Sequence, residues 1–200
     1  MNALYPEPRK VQRVASALRD GEIVAYPTDT VYGLGCDLMN KRAVERLYDV
    51  KRMEKSHHLA FICSDLSSIA RYAIVENHQY RILKRYLPGP YCFILEATRE
   101  VPRLVQTKRK TVGIRVPDHA VIRAVTEALG SPIISTTAQH ADSDAPEIDP
   151  RELDARFQGV GLVIDTSEPG GLTPTTVIDL TQTPPVVVRK GAGDTADFED

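Results

Sequence analysis

Apolar residues at Val11, Val14, Ala15 and Leu18 recur at helical spacing and predict a helix from Lys10 to Arg19, ended by Gly21. The pattern then tightens to a continuous apolar run, Ile23 to Tyr26, a short strand stopped by Pro27 because proline has no ladder donor. Asn40 is placed to cap a second helix whose apolar stripe is Ala43, Val44, Leu47 and Val50. That register puts Lys51 and Arg52 at the helix's C-terminal end, where the helix dipole favours cations.

LAFIC, residues 59–63, reads as a buried strand, and Ser64 or Asp65 is placed to cap a short helix reaching Ala73. A helix over Asn77 to Tyr86 runs into the loop signal LPGP, and strands follow at 91–97 and 111–116, the second stopped by Pro117. Asp118 is placed to cap a helix carrying Val121, Ile122, Val125 and Leu129, with Gly130 at its end and a strand at 132–136 beyond. The polar segment 139–150 has no repeating apolar face and reads as a surface loop. A short helix over Pro150 to Phe157 precedes strands at Leu162–Ile164, Thr176–Leu180 and Val186–Arg189. Helices between strands, with several strands close together, predict an α/β fold on a mixed sheet.

The 200 residues suit one domain spanning residues 1–200, with 42% apolar and 26% charged residues and neither a repeat nor an evident linker. A formal net charge of −2 argues against a bulk basic surface and leaves room for a local basic patch. Cys36, Cys63 and Cys92 are too widely spaced for a zinc knuckle and read as reduced core thiols. No metal-ligand spacing is present, the start MNALYPEPRK has no apolar signal region, and no apolar run is long enough to span a membrane. The expected location is the cytoplasm. GxGxxG after the first strand, GxxxxGK[ST] and GxSxG are all absent.

Four stretches carry polar groups suited to a site. EIVAYPTDTVYGLG, residues 22–35, sets Thr28, Asp29, Thr30 and Tyr32 at a strand end, either as turn chemistry or as a pocket wall. KRMEKSHH, residues 51–58, is either a solvated basic face or a phosphate contact. KRKTVGIRV, residues 108–116, buries Arg115 in an apolar strand, where its guanidinium needs a carboxylate, a phosphate or an escape to solvent. ISTTAQH, TPTTVIDL and VVVRKGAG add Thr137, Gln139, Thr175 and Arg189 near strand ends, either as backbone-satisfying groups or as converging donors.

In order, YPTDTVYGLG, KRM, LPGP, TVGIRVPDH, STTAQ, TPTTVIDL and VVVRKGAG resemble the YrdC/Sua5/YciO family over residues 10–193, most similarly its YciO-like branch. The resemblance implies a YrdC/RibB-like twisted mixed sheet with flanking helices. It implies a threonylcarbamoyl-AMP synthase that joins threonine, bicarbonate and ATP with release of pyrophosphate, with magnesium on the phosphates. Transfer to tRNA adenosine would then involve tRNA-modification proteins as partners.

Carried over by motif, Thr30, Arg115, Thr137 and Thr175 are implied to contact the amino-acid substrate. Lys51, Arg52, His57, Thr111, Gln139 and Arg189 are implied to contact the nucleotide, with Lys51, Arg52 and Arg115 as the catalytic cations. Two motifs depart from the family. KxR becomes Lys51–Arg52–Met53, which removes the second guanidinium from its expected position; SxN becomes Thr137–Ala138–Gln139, which lengthens the reach of the amide. These departures, with the basic runs 51–55 and 108–110, support a rival reading: a nucleotide-binding or double-stranded RNA-binding protein of translation or ribosomal RNA metabolism, with little or no synthase activity.

Overall fold

A computed structural model of the chain describes residues 5–54, 59–167 and 170–199. The helix α1 (Pro8–Arg19) starts two residues before the expected Lys10, since Pro8 is pre-set for the first turn; Val11, Val14, Ala15 and Leu18 are its buried face. β1 (Ile23–Tyr26) turns back through residues 27–32 into β2 (Gly33–Asp37), and the two pair antiparallel. GLGCD has few large apolar residues, so periodicity alone does not mark β2 as a strand.

α2 (Lys41–Lys51) is capped by Asn40, whose Oδ1 accepts the Ala43 amide at 3.1 Å. β3 (Ala60–Ile62) leads to α3 (Leu66–Tyr72), where Asp65 rather than Ser64 is the cap and accepts the Ser68 amide at 2.9 Å. β4 (Ala73–Ile74), α4 (Asn77–Tyr86), β5 (Tyr91–Ala97), a 3-10 turn at Arg103–Val105 and β6 (Thr111–Arg115) follow. In α5 (Ala120–Leu129) the cap position falls on His119, not Asp118; the Asp118 amide instead donates to Asp29 Oδ2 at 3.1 Å. β7 (Ile133–Thr137), α6 (Leu153–Arg156), β8 (Val160–Val163), β9 (Thr176–Asp179) and β10 (Val186–Arg189) complete the order. The helix expected over 150–157 thus contracts to four residues.

The strands form one mixed sheet in the order β10-β9-β5-β6-β3-β7-β2-β1-β8, with β4 added beside β5. Parallel pairing joins β1 to β8, β3 to β6 and β5 to β9, and the other neighbours run antiparallel. This is the twisted mixed sheet with flanking helices that the motifs imply.

The two-residue alternation of a strand divides the core between the faces. Ala25, Leu34, Phe61, Phe93, Ile114 and Ile134 join Ala43, Val44 and Leu47 of α2, Ile69 of α3 and Leu83 of α4 on one face. Val24, Tyr26, Ile62 and Ile133 meet α1 and α5 on the other. These two helices cover only part of that second face. Beyond them no described helix covers β5, β6, β9 and β10, and there Cys92, Ile94, Gly113 and Val177 become the floor of a cavity.

Candidate functional site

The cavity over the uncovered sheet has a volume of about 840 Å³, within the range that holds a nucleotide-sized ligand. Thr111, Gly113 and Arg115 of β6 face it because they are alternate residues; Val112 and Ile114 between them enter the opposite core. Thr137 at the end of β7, Thr175 just before β9 and Arg189 at the end of β10 also line it. Five of the expected contacts therefore come together: Thr111 and Arg115 from β6, Thr137 from β7, Thr175 from the approach to β9 and Arg189 from β10.

Arg115 is the centre of one end. Its side chain is 9% exposed, and Asp29, 11% exposed, is its ion-pair partner through Nη2. The same nitrogen donates to Thr28 Oγ1 at 3.0 Å and to Thr30 Oγ1 at 2.8 Å. Thr30 Oγ1 is in turn 3.3 Å from Thr175 Oγ1, so two of the three threonines expected on the substrate side share one hydrogen-bonded chain with the arginine. Arg115 Nε is buried and has no hydrogen-bond partner among the described residues. An unmet buried donor is costly unless a ligand or water completes it.

The phosphate-side candidates are arranged differently. Lys51 Nζ donates to the Gln139 carbonyl and lies 5.9 Å from the centre of the Phe157 ring; burial lowers its pKa to about 8. The Gln139 side-chain Nε2 donates to the Ser143 carbonyl at 2.8 Å within the loop after β7. Arg52 ends α2 in the left-handed region, φ 50°, and its side chain is 69% exposed, with Nη1 3.9 Å from Asp142. Met53 packs against the main core. Arg52 is thus exposed toward the loop after β7, while Met53 faces the core. Neither Lys51, Arg52 nor Gln139 lines the cavity. Thr111 Oγ1 pairs with Thr107 Oγ1 at 3.0 Å, and the Arg189 guanidinium donates to the Thr175 carbonyl from Nε at 3.1 Å and Nη2 at 2.8 Å. His57 lies outside the described residues.

Other residues that build the site lie inside or beside the polar stretches without a role assigned to them by the family motifs. Thr28 bonds Arg115, Thr30 and the Val31 carbonyl at once. Ser135 accepts the hydroxyl proton of the fully buried Tyr26, whose own ionisation burial suppresses. A Cβ on Gly171 would strike the Thr30 backbone, and one on Gly191 would strike the Pro174 carbonyl and the Thr175 backbone. These glycines let two loops press directly on the site threonines. Their only sequence signal is the punctuation in EPGG and VVVRKGAG.

Residues 16–191 match the Sua5, YciO and YrdC family profile, whose description is telomere recombination. The chain belongs to the Sua5/YciO/YrdC family. YciO of Escherichia coli K12, an uncharacterised protein, is 42% identical over 195 residues, covering 96% of this chain and 94% of that one. Its crystal structure superposes with a TM-score of 0.91 at 41% identity, covering 98% and 95% of the two chains, which places this chain on the YciO-like branch. A threonylcarbamoyl-AMP synthase of Vibrio vulnificus is 36% identical over 131 residues, 64% of this chain and 70% of that one. Sua5 of Pyrococcus abyssi, solved with L-threonine, superposes with a TM-score of 0.83 at 30% identity over 92% of this chain and 55% of that one. The relation to threonylcarbamoyl-AMP synthases is therefore one of family and fold.

Proposed function

We propose that the chain is a nucleotide-binding and RNA-binding member of its family with little threonylcarbamoyl-AMP synthase turnover. The observation that carries this reading is the end of α2, where Arg52 turns out toward Asp142 and Met53 packs into the core. A triphosphate reacting at its α-phosphorus needs cations fixed where charge develops, and fixed electrostatics are commonly the largest part of such catalysis. An ångström of misplacement costs about a hundredfold. Lys51 is the one remaining cation of that motif, and it is already bonded to the Gln139 carbonyl.

Binding has better support. Arg109 and Lys110 are exposed and line the cavity beside Thr111, and Lys108 is exposed next to them. In a chain of net charge −2 this is a local basic edge on a polar cavity. Structured RNA offers phosphates to such an edge, while the cavity behind it suits a nucleotide.

A second reading, the complete synthase, is favoured by the Arg115, Thr30 and Thr175 chain of contacts, which suits an amino-acid carboxylate and hydroxyl. In that reaction the threonine amine condenses with bicarbonate to a carbamate with loss of water, and the carbamate oxygen attacks the α-phosphorus of ATP and expels pyrophosphate. Arg115 would hold the carboxylate and the threonines would fix its orientation. Among the described residues no group of three or more His, Cys, Asp or Glu side chains gathers to hold a metal ion. Magnesium would then be bound chiefly by phosphate oxygens and water, supplying charge neutralisation. Transfer to tRNA would require the partner proteins of that modification.

Folded protein is mixed with ATP, magnesium, threonine and bicarbonate and assayed for the AMP adduct and for pyrophosphate, while calorimetry reads ATP binding. Duplex RNA binding is read at low and high salt. Nucleotide and salt-sensitive RNA binding with marginal turnover is the expected result. Rapid threonine-dependent adduct formation without RNA binding overturns the proposal in favour of the second reading.

A further inference from the structure

A second cavity, of about 530 Å³, lies on the far side of the turn Arg103–Val105. Leu38, Met39, Val44, Pro102, Leu104 and Val105 form its apolar walls, and its charged lining residues are Lys41 and Arg103. Both cations are exposed, and among the described residues Lys41 has a 4.0 Å pair with Glu45, one helical turn along, of the weak surface kind. Asp37, next to Leu38 in the chain, is already committed: its Oδ1 accepts the Met39 amide at 3.0 Å and the Ser131 hydroxyl at 2.7 Å.

Apolar walls with cations alone as charged groups select a ligand with an apolar body and a single negative end. An amino acid is disfavoured because its ammonium would meet Lys41 and Arg103. A bare inorganic anion leaves the apolar walls unfilled. The volume is large for a two-carbon acid and modest for a lipid with two chains. Val105 also lines the main cavity, so it is the common wall of the two. Thr107, two residues on, bonds both the hydroxyl and the amide of Thr111 at the main cavity's edge.

We propose that this cavity is an effector site for a medium-chain monocarboxylate, coupled through the Arg103–Val105 turn to the main cavity. The carboxylate pairs with Arg103 and Lys41 at the mouth, and the alkyl chain lies along Leu38, Val44 and Leu104. Holding that turn changes the position of Val105 and, through Thr107, the support of Thr111. Only the coupling rests on the main cavity's being a nucleotide site; the binding itself does not. Coupling of this kind is reciprocal, so the carboxylate and the nucleotide must alter each other's affinity by the same factor.

Octanoate is titrated into the folded 200-residue chain by calorimetry, with octylammonium and acetate as controls. Saturable octanoate binding, with both controls at least about tenfold weaker, is expected from a charge-assisted contact. Arg103→Gln and Met39→Glu change exposed residues, so the fold is kept; each is expected to weaken octanoate by about tenfold, as loss of a charge-assisted contact and introduction of a like charge require. No saturation up to about 10 mM, below the range of specific small-ligand affinity, overturns the site. Equal binding of octanoate and octylammonium, or no effect of either variant, also overturns it. ATP affinity is then read with and without octanoate: equal reciprocal factors support the coupling, and independence of the two overturns that part alone. If ATP does not bind at all, the nucleotide reading fails while the octanoate result still stands by itself.

Discussion

Arg115 and Thr30 lie 85 positions apart in the chain, yet the guanidinium Nη2 donates to the threonine hydroxyl at 2.8 Å inside the protein. One nitrogen thereby ties β6 to the loop between β1 and β2, with Asp29 of that loop supplying the balancing charge. Arginine in an apolar strand signals that such a partner must exist; which carboxylate serves is settled by the sheet bringing residue 29 beside residue 115.

That pair makes a stability prediction. Removing one member of a buried ion pair leaves the other charge unpaired, at a cost of about 3–5 kcal/mol. Asp29→Ala and Arg115→Met should each lower the free energy of unfolding in urea by that order, while the double variant should lose clearly less than their sum. Additive losses would mean that the two side chains act independently.

Arg52 makes the opposite prediction. A non-glycine residue at φ 50° is strained by about 1 kcal/mol, and glycine is the natural occupant of the position that ends a helix this way. Arg52→Gly should raise stability by about 0.5–1 kcal/mol and leave ATP affinity within twofold, since the side chain points toward Asp142. A large loss of ATP affinity would show that the arginine swings inward when nucleotide binds. Met53→Arg should cost about 1–3 kcal/mol through lost packing and a buried charge, without raising adduct formation.

Lys51 should give a pH signature. Burial lowers its pKa from 10.5 to about 8, so between these values the unfolded chain holds a proton that the native protein has released. Stability should therefore rise with pH across about 8 to 10.5 on account of this group, and Lys51→Met should flatten that rise. If Lys51 also meets a phosphate, the added negative charge raises its pKa, and ATP binding near pH 8.5 should take up protons. Calorimetry in buffers of different ionisation heat reads that uptake; a buffer-independent heat would separate Lys51 from the phosphates.

How much was legible in the chain follows from which physics is local. The stripes of α1, α2 and α5 and the apolar runs of β3, β5 and β6 announce themselves because each buries a periodic face. β2 stays hidden because GLGCD is built for close approach and not for bulk. Of the site, Arg115, Thr30 and Thr175 emerge from ordered motifs, and the sheet assembles them. Lys51, Arg52 and Gln139 sit in equally recognisable motifs but find their partners in the loop after β7, and those orientations depend on one backbone dihedral and on a loop that periodicity does not describe. Thr28 stands in a stretch marked as turn or pocket wall, and its contact with Arg115 decides between them; Gly191 shows its work only in what touches it.

Gly191 supplies the sharpest test of the site's architecture. Its amide donates to Thr176 Oγ1 at 3.0 Å, and the next residue's amide donates to the Pro174 carbonyl at 2.8 Å, which holds the 191–193 loop against the start of β9. A methyl at position 191 would strike the Pro174 carbonyl and the Thr175 backbone, neither of which can yield like the end of a flexible side chain. Gly191→Ala should therefore cost about 1–3 kcal/mol of stability through overpacking. It should also push Thr175 away from Thr30, a contact already long at 3.3 Å. Thr175→Ala removes the same hydroxyl without the steric push. If Thr175 serves only through its hydroxyl, both variants weaken threonine binding, but Gly191→Ala alone also shows the larger loss of stability. Unchanged threonine binding in both would remove Thr175 from the substrate site and leave Arg115 and Thr30 as its remaining anchors.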